Sequence, residues 1–211
     1  MLEGLLFRAA VLTMLAVSII ACAGPVATDE PSPSASEDEP LTTEAPVADP
    51  VLAEFRARPS ILGEIDMRNG CPVSMPQRVN GATFSALGSE PLFAGGLNAR
   101  MDWDDAIEID GDRYLEVSWL SEPHYSRQVL VRGTNVESGE PIEFRSSDGA
   151  VTGELYLTTA TSTEAESLGP GFRTWAANVS MPEPSCYALQ VEARDHIGAY
   201  TIVFEVTQPE L

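Results

Sequence analysis

The chain has 211 residues, with 12 basic and 32 acidic side chains and a formal net charge of −20. All the basic residues are arginine and none is lysine, which excludes a lysine Schiff base and a Ser–Lys dyad. An acidic surface of this kind also excludes a nucleic-acid partner, because phosphates must be met by basic side chains, and it disfavours adhesion to anionic lipid headgroups.

At the N-terminus, Arg8 precedes an apolar run from Ala9 to Ile20 that is broken only by Thr13 and Ser18. A basic start, a short apolar centre and a small-residue finish form a secretory signal. The run is shorter than the ~20 apolar residues a spanning helix needs. Ile19-Ile20-Ala21-Cys22 resembles the bacterial lipobox, in which cleavage precedes a cysteine whose thiol and new amine carry acyl chains. The resemblance implies a signal peptide over residues 1–21 and a lipidated Cys22. That lipid would hold the protein at the extracytoplasmic face of the cell membrane, since two or more acyl chains anchor stably where one does not. A buried cysteine in an apolar helix, or an anchor that is never cut, leaves the abrupt change to polar sequence unexplained. Loss of residues 1–21 removes Arg8 and Glu3, so the mature charge is 11 − 31 = −20.

Residues 22–50 form the next segment. From Ala23 to Pro50 the chain carries six prolines and seven acids, with no basic or aromatic residue. It has too little apolar surface to offset the entropy of ordering and is expected to be a disordered tether. At the polyproline rise of ~3.1 Å per residue it reaches at most about 85 Å.

Residues 51–211 have the length of one domain with a sizeable core. Asp49-Pro50 before VLAEFRAR predicts a short helix ending before Pro59. From Ala106 onward the pattern has period two. AIEID, the turn Gly111-Asp112 and RYLEVSWL predict a hairpin. Ile107 and Ile109 are expected inward, as are Leu115, Val117 and Trp119, with Tyr114, Glu116 and Ser118 outward. QVLVR, IEF, VTGELYLTT, RTWAANVSM, SCYALQVEA and YTIVFEVTQ continue the series, and Ser146–Gly149 turns the chain. About eight short strands with regular turns predict an all-β antiparallel sandwich.

The block from Trp175 to Val206 is similar to the closing strands of uncharacterised bacterial secreted lipoproteins with immunoglobulin-like domains. Its residues Trp175, Pro182, Pro184, Cys186, Tyr187 and Phe204 match a Trp-bearing strand, a proline turn, a Cys-aromatic strand and a final apolar strand. The resemblance covers that block alone, and Ser185 stands where the group usually has glycine. It implies an immunoglobulin-like fold and an extracytoplasmic location, and no activity.

If Cys22 carries lipid, Cys71 and Cys186 are the two cysteines left in an oxidising compartment, and a disulfide between them is expected. The acids Asp102, Asp104, Asp105, Glu108, Asp110 and Asp112 read as a solvated edge that discourages strand aggregation. Calcium binds carboxylates, but with Gly111 in the glycine slot an EF-hand loop would run from Ala106 to Val117, which are not ligands. No hydrolase signature, metal-ligand spacing or phosphate loop is present, so no cofactor and no catalytic residue is assigned. Trp103, His124 and Tyr125 fall outside the alternating core faces and form the candidate binding surface, either for recognition or as packing over the end of the sandwich. Taken together, the sequence predicts a membrane-anchored, non-catalytic module that meets a protein or polymer of the cell envelope. An envelope hydrolase with an unrecognised site and a purely structural lipoprotein are the alternatives.

Overall fold

The structure is a computed structural model that describes residues 49–79, 85–196 and 198–209. The expected signal peptide, the expected lipidation at Cys22 and the expected tether up to residue 48 lie outside the described residues.

Helix α1 (Pro50–Arg56) starts as its sequence predicts. The Asp49 carboxylate accepts the Val51 N–H at 2.8 Å, Pro50 occupies the first turn, and Phe55 is buried. A proline there removes a donor that has no helical partner.

Fourteen strands follow among the described residues. The first five are β1 (Gln77–Arg78), β2 (Ser85–Ser89), β3 (Leu92–Gly95), β4 (Arg100–Asp102) and β5 (Ile107–Ile109). Then come the long β6 (Asp112–Ser121) and β7 (Val129–Asn135), and the short β8 (Phe144–Ser146), β9 (Val151–Thr152), β10 (Glu154–Leu157) and β11 (Thr163–Glu164). Three long strands close the domain: β12 (Arg173–Ser180), β13 (Cys186–Ala193) and β14 (Ala199–Thr207). Each of the eight expected strands has a counterpart, though IEF only through Phe144, since β8 runs on to Ser146, and one is divided: Gly153 breaks VTGELYLTT so that β9 and β10 join different sheets.

One sheet has nine strands, ordered β1-β2-β3-β6-β12-β8-β9, with β5 on β6 and β11 on β12. The other has five, ordered β10-β7-β13-β14-β4. Every pairing is antiparallel except the parallel β14–β4 pair. The predicted inward faces meet between the sheets. Leu115, Val117, Trp119, Trp175, Ala177, Val179 and Met181 from one sheet share a core with Leu189, Ile202, Phe204 and Val206 from the other. The fold is an all-β sandwich.

Two inward assignments require correction. Ile107 is 36% exposed and Ile109 is only half-buried, while Tyr114, expected outward, is buried. Alternation fixes which side chains share a face, but only an opposing layer buries them. Strand β5 pairs with the first three residues of β6 alone, and neither isoleucine belongs to the common core.

The outer face of β13 has a cover of its own. Cys186, Ala188, Gln190 and Glu192 alternate with inward Tyr187, Leu189, Val191 and Ala193, yet all eight are buried. Residues 55–74 lie across this face as a strap. Leu62 packs with Cys186, Ala188 and Val203, Ile61 N–H donates to Gln190 Oε1 at 2.8 Å, and Ser74 N–H donates to Val203 O at 2.7 Å. The expected Cys71–Cys186 disulfide fastens the strap, with a Cα–Cα distance of 5.6 Å.

Candidate functional site

Strand β6 spans roughly 30 Å at ~3.3 Å per residue, and it gives the sandwich two ends. The end beyond Ser121, called upper here, carries the loops 90–91, 122–128 and 158–172 and the turn at 194–196. The tripeptide Ser-Glu-Pro occurs twice at this end, as Ser89-Glu90-Pro91 after β2 and Ser121-Glu122-Pro123 after β6. Strand β3 pairs with β6 so that Leu92 faces Ser121, and Glu122 N–H donates to Pro91 O at 2.8 Å. The two glutamates are thereby set side by side. His196, on the turn between β13 and β14, completes the group. Its Nε2 lies 3.0 Å from Glu90 O, and because a carbonyl only accepts, Nε2 carries the proton.

These side chains line a cleft of about 390 Å³ with Arg78, whose buried apolar neighbours Val79, Phe93 and Phe172 form its floor. Burial pushes the Glu122 carboxyl above the ordinary glutamate range, and the charge of Glu90 and a hydrogen bond to it push the same way, against a smaller opposing pull from His196. A neighbouring carboxylate raises a carboxyl's affinity for a proton in this way. The folded domain therefore binds more protons than the unfolded chain in the window above the ordinary glutamate value. The stability contributed is fully present below that window and is lost as pH rises through the folded value. Glu122→Gln is expected to remove this fall, read as the pH dependence of the urea midpoint. An unchanged slope would show that Glu122 does not titrate in that window.

The three residues singled out from sequence do not form one surface. His124 and Tyr125 sit at the upper end. His124 is exposed with φ 65°, and its N–H donates to Gly171 O at 2.9 Å. A Cβ on Gly171 would lie 2.7 Å from the imidazole, so glycine is what lets the ring lie there. Tyr125 is half-buried against the core and its hydroxyl donates to Arg194 O at 3.0 Å. Burial pushes its phenol up to about 12. Trp103 lies at the opposite end, beside the start of β6. Its carbonyl accepts from Arg113 Nη1 at 2.9 Å and its ring lies 4.9 Å under that guanidinium. Among the described residues no group of three or more His, Cys, Asp or Glu is arranged to hold a metal ion, the acidic 102–112 stretch included.

A second small cleft of about 400 Å³, lined by His124, Ser126, Glu164 and Arg173, shares Phe172 with the first. A longer groove of about 1010 Å³ runs between α1, β10 and Trp175. Several of its polar groups are already paired: Arg56 with Glu154, Ser146 with Asp148 at 2.5 Å, and the Trp175 indole with Thr158 O at 2.7 Å. Most of that groove's polar groups are thus engaged, whereas in the Glu90–Glu122 cleft, which Arg78 also lines, neither carboxyl forms an ion pair among the described residues.

No protein-family model matches this chain, and no curated protein matches it by sequence. Two solved structures are similar in part. The CooA pilin subunit from enterotoxigenic Escherichia coli is 8% identical, with a TM-score of 0.30 over 56% of this chain and 95% of that one. A family 123 glycoside hydrolase from Clostridium perfringens is 12% identical, with a TM-score of 0.26 over 47% of this chain and 22% of that one. Likeness at this level carries no argument about what this chain does.

Proposed function

We propose that the protein is a lipid-anchored, non-catalytic binding module at the extracytoplasmic face of the cell membrane. Its signal peptide ends at residue 21, its anchor is Cys22, and its tether lifts the sandwich to meet a protein or polymer of the envelope. In this reading the chain is one of the secreted lipoproteins with immunoglobulin-like domains that its closing strands resemble. The observation that carries the binding role is the upper-end cleft, where carboxyls and an imidazole from three separate loops converge over an aromatic floor. Its chemistry favours holding over turnover. Ser89 Oγ and His196 Nε2 both turn to the Glu90 carbonyl, at 3.5 and 3.0 Å, so they form no serine–imidazole couple.

Metabolic labelling with a fatty-acid probe is expected to mark the wild-type protein and not Cys22→Ser. Equal labelling of both would overturn the anchor. One observation favours a second reading, an acid–base hydrolase: the carboxyl pair resembles those that share a proton in general acid catalysis. Turnover of an ester, peptide or glycoside panel that Glu122→Gln abolishes would decide for the enzyme.

A further inference from the structure

We infer that Asn69 of the strap is a site of self-modification: the backbone nitrogen of Gly70 closes on its carboxamide, ammonia leaves, and aspartate and isoaspartate take its place. Asparagine is followed by glycine at Asn69-Gly70 and at Asn80-Gly81. Residues 80–84 lie outside the described residues, whereas Asn69 and Gly70 are both exposed, between the Asp66–Arg68 ion pair and Cys71. The hydrogen bonds of this stretch tie Arg68 to Asp66, and the Gly70 N–H to Met67 O at 3.0 Å. They leave the Asn69 carboxamide without a partner among the described residues. Gly70 has φ 89°, and a Cβ there would meet no atom within 4 Å, so its nitrogen is open to approach. The other asparagines are protected. Asn135 is 2% exposed, its Oδ1 accepts the Glu137 N–H at 2.9 Å, and its Nδ2 donates to Glu183 at 3.1 Å. Asn178 is held inside β12, and Asn98 and Asn178 precede Ala99 and Val179, whose side chains crowd the attacking nitrogen.

The reaction needs only water and a solvent base. The base takes the Gly70 amide proton, the bond from Gly70 N to Asn69 Cγ forms, and the Cγ–Nδ2 bond breaks as the nitrogen leaves as ammonia. Water then opens the cyclic succinimide at one of its two carbonyls. Opening at Cγ restores the ordinary chain with aspartate, and opening at the backbone carbonyl leaves the chain running through Cγ as isoaspartate. Either product adds a negative charge. Isoaspartate also lengthens the main chain by a methylene, which the Met67–Gly70 turn and the Arg68–Gly70 bridge cannot absorb. The strap is thereby loosened immediately before the cysteine that fastens it.

The test is peptide mapping of the full-length protein in detergent after incubation in warm, mildly alkaline buffer, with parallel samples in mildly acid buffer. A synthetic peptide of residues 64–75, its cysteine alkylated, gives the rate for the unfolded chain. Cleavage at Arg68 and Arg78 puts Asn69 and Asn80 in different peptides. Asn69 is expected to convert at most about tenfold more slowly than in the synthetic peptide, because the Gly70–Met67 hydrogen bond is what must open first. Conversion should be faster in alkali than in acid, and peptides of equal mass carrying aspartate and isoaspartate should both appear. Asn69→Gln, whose longer side chain closes a ring far less readily, should stay unmodified. Asn69 left intact once the synthetic peptide has converted would overturn the inference. Aspartate as the sole product, the mark of direct hydrolysis, or equal rates in the two buffers would overturn it as well. The urea midpoint reads the consequence: the isoaspartate form should unfold at lower urea than Asn69→Asp, and equal midpoints would overturn the loosening of the strap.

Discussion

Removing the Cys71–Cys186 bond is expected to cost about 4–5 kcal/mol of stability. The bond closes a loop of 115 residues, and the chain-entropy model gives about 5 kcal/mol for a loop of that length, with measured bridges often lower. Most of the loss arises in the unfolded state, which gains freedom once the crosslink is gone. The folded strap keeps its apolar contacts through Leu62 and its hydrogen bonds to the Gln190 side chain of β13 and the backbone of β14. The double variant Cys71→Ser with Cys186→Ala is the right comparison, because Cys186 is 1% exposed and a hydroxyl there would be buried without a designated partner. For a domain of this size the loss lowers the melting temperature by roughly 10–20 °C. Urea unfolding of the oxidised wild type, the reduced wild type and the double variant measures it. The last two curves should coincide, and a loss below about 2 kcal/mol would mean that the strap, not the crosslink, carries the stability.

How much of this was legible in the sequence depended on strand length. Strands β6, β12, β13 and β14 run for eight to ten residues and show their period clearly. Strands β2 and β3 were hidden because Gly88, Pro91, Gly95 and Gly96 read as turn punctuation, although both strands sit inside the larger sheet. Strands β1 and β11 have two residues each, too few for any periodicity. Burial of the outer face of β13 was also hidden, since its cover comes from a strap more than 100 residues away in sequence. The disulfide was legible from cysteine arithmetic alone. Of the cleft, His196 was visible only as one isolated histidine. The repeated Ser-Glu-Pro was the available signal for Glu90 and Glu122, but only the β3–β6 pairing brings its two copies together. Period-two reasoning set Trp103, His124 and Tyr125 apart from the alternating faces without revealing that Trp103 and Tyr125 pack against the core, at opposite ends of the sandwich.

Beneath the strap lies a polar contact whose disruption is expected to cost nearly as much as the disulfide. Glu192 is 1% exposed on β13, and its Oε1 accepts from Arg132 of β7 and from Gln190 Nε2 at 2.8 Å. The other oxygen, Oε2, has no hydrogen-bond partner among the described residues and lies 4.0 Å from Arg58 Nε of the strap. A carboxylate so placed depends on Arg132 for its charge balance, since Arg58 is a third exposed and makes no hydrogen bond to it. Removing one member of a buried pair leaves the other charge uncompensated, at about 3–5 kcal/mol. Arg132→Met, which keeps the apolar stem and deletes the guanidinium, should therefore destabilise the domain by about 3–4 kcal/mol. Replacing both partners behaves differently, because a buried pair exchanged for apolar groups of similar volume is often close to neutral. The double variant Arg132→Met with Glu192→Leu should recover most of the loss, leaving Gln190 its weaker bond to Pro59 O at 3.4 Å. A double-mutant cycle in urea measures the coupling. If Arg132→Met costs less than about 1 kcal/mol, Glu192 is not held as a buried carboxylate. If the double variant is no more stable than Arg132→Met alone, the cost lies in lost packing under the strap and not in the stranded charge.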